Sequence, residues 1–177
     1  MELITFLNLE EVPEEESKTF QNRTAVRAVL FDADDRVALM HVSKKGYYKL
    51  PGGGVDRGEE LALALERECL EEAGCSIDIL HELGRVDEVR RMQSLVQTSF
   101  NYIGRVRGEK GVPELTESEA ADGFEIVWLE PEEALERLQQ SNRENDAAAY
   151  IVLRDIAILT RAMNLITSGQ TTISSAK

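Results

Sequence analysis

Gly53-Gly54-Val55-Asp56-Arg57-Gly58-Glu59-Glu60-Leu61-Ala62-Leu63-Ala64-Leu65-Glu66-Arg67-Glu68-Cys69-Leu70-Glu71-Glu72-Ala73-Gly74-Cys75 decides how the rest of the chain reads. It opens in glycine and switches at Glu60 to Leu, Ala, Glu and Arg, which favour helix through Ala73. Gly74 stands where a glycine ends a helix in left-handed geometry. At 100° per residue, Ala62, Leu63, Leu65, Cys69, Leu70 and Ala73 share one arc, while Arg67, Glu68, Glu71 and Glu72 share the other. The helix is therefore expected to bury the first face and present the second. Glu68, Glu71 and Glu72 stand at i, i+3 and i+4, so their side chains are expected to converge on one patch. Three clustered carboxylates repel unless cations neutralise them, and hard oxygen ligands suit Mg²⁺ or Mn²⁺. The plainer reading is a solvated acidic face, which suffices for Glu60 or Glu66, with Arg67 and Glu71 as an ordinary i,i+4 pair.

Working outward, Leu50-Pro51-Gly52-Gly53-Gly54 reads as an irregular loop where backbone closely approaches another group, with Gly53 a candidate for touching substrate. Upstream, Thr24–Phe31 and Arg36–Val42 are strand-like and flank Asp32-Ala33-Asp34-Asp35, the pattern of a hairpin. Downstream, strand-like stretches cover Ile77–Leu83, Arg85–Val89, Ser94–Val106 and Phe124–Leu129. Pro131 opens a helix over Glu132–Gln140, and a long helix spans Asp146–Leu165. That last helix, apolar around much of its circumference, is expected to cover the sheet; pairing with a second subunit as a homodimer is the other use for such a face. Interspersed strands and helices indicate an α/β layered fold with a mixed sheet.

The 177 residues fit one domain, with residues 1–21 as strand and connector, 145–167 as the C-terminal helix and 168–177 as a flexible tail. Residues 10–16 are too charged for a core element. A formal net charge of −13 argues against coating nucleic acid, which draws on a basic surface, but leaves room for a local basic pocket and a carboxylate-held cation. Cys69 and Cys75 form no CxxC and read as small core side chains. The N-terminus lacks the basic start of a signal peptide, and no apolar run approaches the ~20 residues of a membrane span, so a cytoplasmic protein is expected.

The spacing of Gly53, Glu59, Arg67-Glu68, Glu71-Glu72 and Gly74 resembles the box of the Nudix hydrolases at all seven of its invariant positions, and Leu50-Pro51-Gly52 resembles its approach. Cys69 and Cys75 depart from the Ile, Leu or Val usual at their positions but leave the ligand set untouched. The resemblance implies an α/β/α sandwich with a loop–helix–loop site that cleaves a nucleoside diphosphate linked to another group. It implies Mg²⁺, or Mn²⁺, held by Glu68, Glu71, Glu72 and the Gly52 carbonyl, with Glu59 and Arg67 as a structural pair. Such chemistry needs a general base near the attacking water. Glu68 is the first choice and Glu119, in Thr116-Glu117-Ser118-Glu119, the second, closely followed by Glu117; an exposed acidic loop without a role is the bland alternative.

Arg27, a charge inside an apolar strand, either snorkels outward or meets substrate phosphate. Arg85, Arg90, Arg91, Arg105 and Arg107 suggest a substrate clamp as a group and exposed strand residues one by one. Tyr47 and Tyr48 suit packing more than base stacking, and His41 and His81 have no metal-like spacing. The substrate class narrows only weakly: the proline of ADP-ribose-cleaving relatives is missing from Glu88–Gln93, and the NADH and coenzyme A signatures are missing too. A small nucleotide derivative such as a nucleoside triphosphate is favoured. A non-catalytic nucleotide-sensing module is the rival reading, although the box is undamaged, and acidity disfavours cleavage of RNA ends.

Overall fold

Strand β2 (Gln21–Phe31) organises the molecule, buried without interruption from Ala25 to Phe31. Burial on both faces explains why this stretch is a near-continuous apolar run rather than an alternation. Around it, the computed structural model describes residues 1–173 as a seven-stranded mixed sheet. The strands are β1 (Leu3–Leu7), β2, β3 (Val37–Val42), β4 (Tyr47–Lys49), β5 (Ile77–Arg90), β6 (Leu95–Val106) and β7 (Phe124–Leu129). The order is β1-β5-β6-β2-β3-β4, with β7 paired to β3. β1–β5 and β2–β6 are parallel, and β5–β6 and β3–β7 antiparallel.

Helix α2 (Leu61–Ala73) packs Ala64, Leu65, Cys69 and Ala73 against Val26, Ala28 and Leu30 on one face of the sheet. The alternate residues Val29 and Phe31 meet the other face, covered by α4 (Pro131–Gln139) and α5 (Asp146–Thr167). The result is an α/β/α sandwich. α5 seats Ile158, Leu159, Ala162 and Leu165 on its own sheet, which accounts for its wide apolar circumference. Short helices α1 (Glu14–Ser17) and α3 (Glu117–Asp122) complete the chain, so residues 10–16 contain the start of a helix rather than connector alone. Of the expected tail, residues 174–177 lie outside the described residues. Among those described, no helix is long and apolar enough to cross a membrane.

Two local expectations change. The Asp-rich turn forms, with Asp32 Oδ1 accepting the Asp34 and Arg36 N–H groups and Asp35 in left-handed geometry. Yet β2 and β3 pair only at Phe31–Val37, because β2 spends one edge on β6 from Gln21 to Phe31. Its other edge takes the glycine loop: Val26 N–H donates to Gly53 O, Ala28 N–H to Pro51 O, and Val55 N–H to Thr24 O. Second, Ile77–Leu83 and Arg85–Val89 are one strand. Gly84, at φ 130°, carries a bulge that bends β5 without ending its ladder to β6.

Candidate active site

The glycine loop and α2 make two walls of a cleft of about 320 Å³, and residues of β2, β4, β7, α3 and α5 complete it. The loop's height is set by side chains on both sides of the sheet. Glu72 accepts the Gly52 N–H (2.7 Å) and the Lys49 ammonium (2.5 Å). From α5, Asp155 Oδ2 accepts the Leu50 N–H at 2.9 Å. Gly52 has φ 132°, and a Cβ there would lie 2.2 Å from Val26 O, so only glycine lets the loop lie on β2. A Cβ on Gly53 would instead fall 2.3 Å from both oxygens of Glu68; the Glu68 carboxylate lies against that glycine.

Arg67 ties the motif together. Its Nε and Nη2 donate to the two oxygens of Glu59 (2.9 and 3.0 Å), and Nη2 also reaches Gly54 O (2.9 Å). Nη1 donates to Glu68 (2.9 Å) and Glu71 (3.2 Å). The two-point bond from Arg67, with the Asp56 N–H, brings the Glu59 carboxyl down to about 2. At the far end, Gly74 closes α2 in left-handed geometry at φ 64°.

The helix does not turn as its arc suggests. Leu63 and Leu70 are exposed, whereas Glu68 and Glu72 are buried, because the loop folds over the acidic side. Of the three glutamates, Glu68 and Glu72 line the cleft, while Glu71 shares Arg67 Nη1 with Glu68 and is not in the lining. Like charges one turn apart are relieved by separate cations, Lys49 for Glu72 and Arg67 for the others. Among the described residues, no three His, Cys, Asp or Glu side chains are gathered as a ready-made metal site. Burial is the largest influence on Glu68 and raises its carboxyl; the Arg67 bond pulls against it, and the Glu72 charge adds to it.

Arg27 is buried and lines the cleft, its Nη1 donating to Val26 O (2.6 Å) and Gly53 O (3.1 Å). Glu119 lines it too, and Glu117 does not. The segment around them is a capped helix rather than an acidic loop: Thr116 and Glu119 form a capping box, a pairing legible in the T-x-x-E spacing. Glu119 Oε2 serves that box while Oε1 accepts no hydrogen bond among the described residues.

The arginine clamp disperses. Arg85 pairs with Asp87, Arg90 with Glu88, Arg91 with Glu16, Arg105 with Asp35 and Arg107 with Asp78, and none lines the cleft. Tyr48 stacks on His41 at 4.4 Å, and Tyr47 forms buried cleft wall. The residues not anticipated are Arg23, Lys49 and Arg154, all in the cleft lining, and Asp155 behind it. For the last pair the signal was available: Arg154-Asp155 interrupts an apolar helix, and charges in such a place are rarely buried unless paired. Arg154 Nε and Nη2 donate to the two oxygens of Asp155 at 2.7 and 3.1 Å.

A family model described as the NUDIX domain matches residues 21–150. Among solved structures, the MutT NUDIX hydrolase from Burkholderia pseudomallei is 21% identical, covering 76% of this chain and 98% of its own, at a TM-score of 0.54. The NUDIX hydrolase from Nitrosomonas europaea is 18% identical, covering 89% and 98%, at 0.61. The MutT protein from Methanosarcina mazei Go1 is 20% identical, covering 82% and 96%, at 0.56. At these identities the likeness is one of fold. No curated protein sequence matches the chain.

Proposed function

This chain belongs to the Nudix family of hydrolases acting on pyrophosphate bonds, and from that premise we propose that it cleaves a nucleoside diphosphate linked to a second group, a nucleoside triphosphate included, by attack of water at phosphorus, with Mg²⁺ or Mn²⁺ as cofactor. One observation carries the reading: a single cleft places the buried carboxylates of Glu68 and Glu72 together with the guanidinium groups of Arg27 and Arg154. Carboxylates suit a divalent cation and guanidiniums suit phosphate, and a metal-assisted phosphoryl transfer uses both.

The donor set fits the cofactor. Glu68 and Glu72 offer hard oxygens, and the Gly52 carbonyl, also in the lining loop, accepts no hydrogen bond among the described residues. Glu71, now bonded to Arg67, would join them in holding the ion. A bound divalent ion neutralises phosphate charge and acidifies water. Glu68, kept basic by burial, takes the proton of the attacking water, and Glu119 with its unengaged Oε1 is the second candidate. Arg27 and the Gly53 backbone position the phosphate, while Glu59 and Arg67 brace the helix against the loop.

The test is a panel of nucleotides incubated with purified protein and Mg²⁺, with release of nucleoside monophosphate measured. Turnover is expected for at least one member and should fall by orders of magnitude in Glu72→Gln, which can still accept the Gly52 N–H and keep the fold. Undiminished turnover in that variant refutes the metal assignment. Stoichiometric binding of nucleotides with no cleavage of any would establish the sensing module instead.

A further inference from the structure

Beneath the cleft lies a cluster of five charged side chains, each more than nine-tenths buried: Arg27, Arg90, Arg154, Glu88 and Asp155. Each of the two carboxylates is ion-paired with an arginine, and Glu88 Oε1 accepts no hydrogen bond among the described residues. Glu88 takes the Nε–H of Arg90 at 2.8 Å and lies 3.6 Å from Arg154 Nη1, and Asp155 takes the paired bonds of Arg154 and the Leu50 N–H. Three guanidiniums against two carboxylates leave one positive charge in surplus. The other carboxylates in reach, Glu68 and Glu72, are held by Arg67 and Lys49.

The surplus sits on Arg27. Among the described residues it contacts no carboxylate, only two carbonyls, and its Nε is buried without a hydrogen-bond partner. Burial, with the charge of Arg154 next in weight, pulls its guanidinium down to about 10. An isolated buried charge is costly, and a ligand anion is what would satisfy it. Arg27 and Arg154 both line the cleft, whereas Arg90 does not.

We propose, resting on the hydrolase reading, that Arg27 and Arg154 form an anion subsite on the cleft floor that takes the terminal, unesterified phosphate of the substrate. An unesterified phosphate carries about −2 and three acceptor oxygens at neutral pH, the chemistry two guanidiniums match best. An esterified phosphate brings less charge and a second group to house. Arg154 is held rigid by Asp155, with its Nη1 3.6 Å from Glu88, and adds a fixed positive charge to the floor; Arg27 supplies the unmatched charge.

Calorimetry on the full-length chain in chelator, without turnover, reads the subsite directly by comparing ADP, whose last phosphate is free, with ADP-ribose, whose phosphates are both esterified. Wild-type protein should bind ADP about 10-fold or more tightly over ADP-ribose, the order expected of one extra charged hydrogen-bonding contact. Arg27→Met should abolish that preference. Arg154→Met leaves Asp155 unpaired and can fail to fold, so Arg154→Lys, which keeps the charge and loses the fork, is the second variant and should shrink the preference at an unchanged circular-dichroism spectrum. Equal binding of the two ligands by wild-type protein overturns the subsite, as does a preference that survives both substitutions. Absence of hydrolysis in the nucleotide panel with this preference intact would overturn the hydrolase reading alone.

Discussion

Alanine at Gly52 and alanine at Gly53, adjacent in sequence, should give opposite signatures. At Gly53 the added carbon falls 2.3 Å from the Glu68 oxygens, so the carboxylate must retreat by about 1 Å to reach an ordinary contact of about 3.4 Å. A carboxylate end can rotate away, so the melting temperature should move by the equivalent of no more than about 1 kcal/mol, as for Gly→Ala at a tolerant backbone. A displacement of about 1 Å in catalytic geometry is worth about 100-fold in rate, and turnover should fall accordingly. At Gly52 the carbon meets Val26 O at 2.2 Å and Arg27 Cα at 2.9 Å, both backbone, at φ 132°. Strained backbone costs about 1–3 kcal/mol. Lifting the loop breaks the Val26–Gly53 and Ala28–Pro51 bonds, each worth about 1 kcal/mol. The sum, about 3–5 kcal/mol, corresponds to a drop on the order of 10 °C in a chain of this size. Thermal denaturation by circular dichroism beside initial rates on the accepted nucleotide measures both. Equal melting shifts for the two variants, or unaltered turnover in Gly53→Ala, would refute the reasoning.

Two further outcomes follow from the same packing. Cys69 and Cys75 are buried, and burial is the main cause raising both thiols, so a thiol reagent at neutral pH should label neither in the native protein and both after denaturation; rapid native labelling contradicts the packing. Glu59, held at about 2 against an ordinary value of about 4.3 in the unfolded chain, contributes stability present above the unfolded value and lost as pH falls from there toward 2. The melting-temperature gap between wild type and Glu59→Gln should therefore close across that acid window, and a gap constant from pH 6 to pH 2.5 would count against the Arg67 brace.

Much of this molecule is legible in its residues where the determinants are local. Helix α2 ends at Gly74 and β7 spans Phe124–Leu129 as read, since glycine stops and β-branched or aromatic runs act over a few residues. What was not legible is who pairs with whom across the sheet. Nothing near β2 announces that β6, some seventy residues later, takes its edge in parallel, or that the glycine loop takes the other. Gly84 looks like a break in the sequence because a glycine bulge and a strand end are alike until the partner strand is known. The arginine clamp failed for a reason that was visible: Arg85–Asp87 and Arg90–Glu88 sit two apart on a strand, hence on one face, and neutralise each other. The site's acidic half was apparent from spacing, but of its cationic half only Arg27 was, because Lys49 and Arg154 reach the cleft from segments that carry no local pattern in common.

Because the glycine loop is bonded along β2 from Thr24 to Ala28, the strand's outward amides there are already occupied. A foreign strand that would add itself to the sheet finds no free donors at this margin, which is how natural sheets avoid polymerising edge to edge. The same stitching makes the loop part of the scaffold instead of a swinging cover. The groups proposed to meet substrate are thus held in place before it arrives, and little ordering entropy is left to be lost on association.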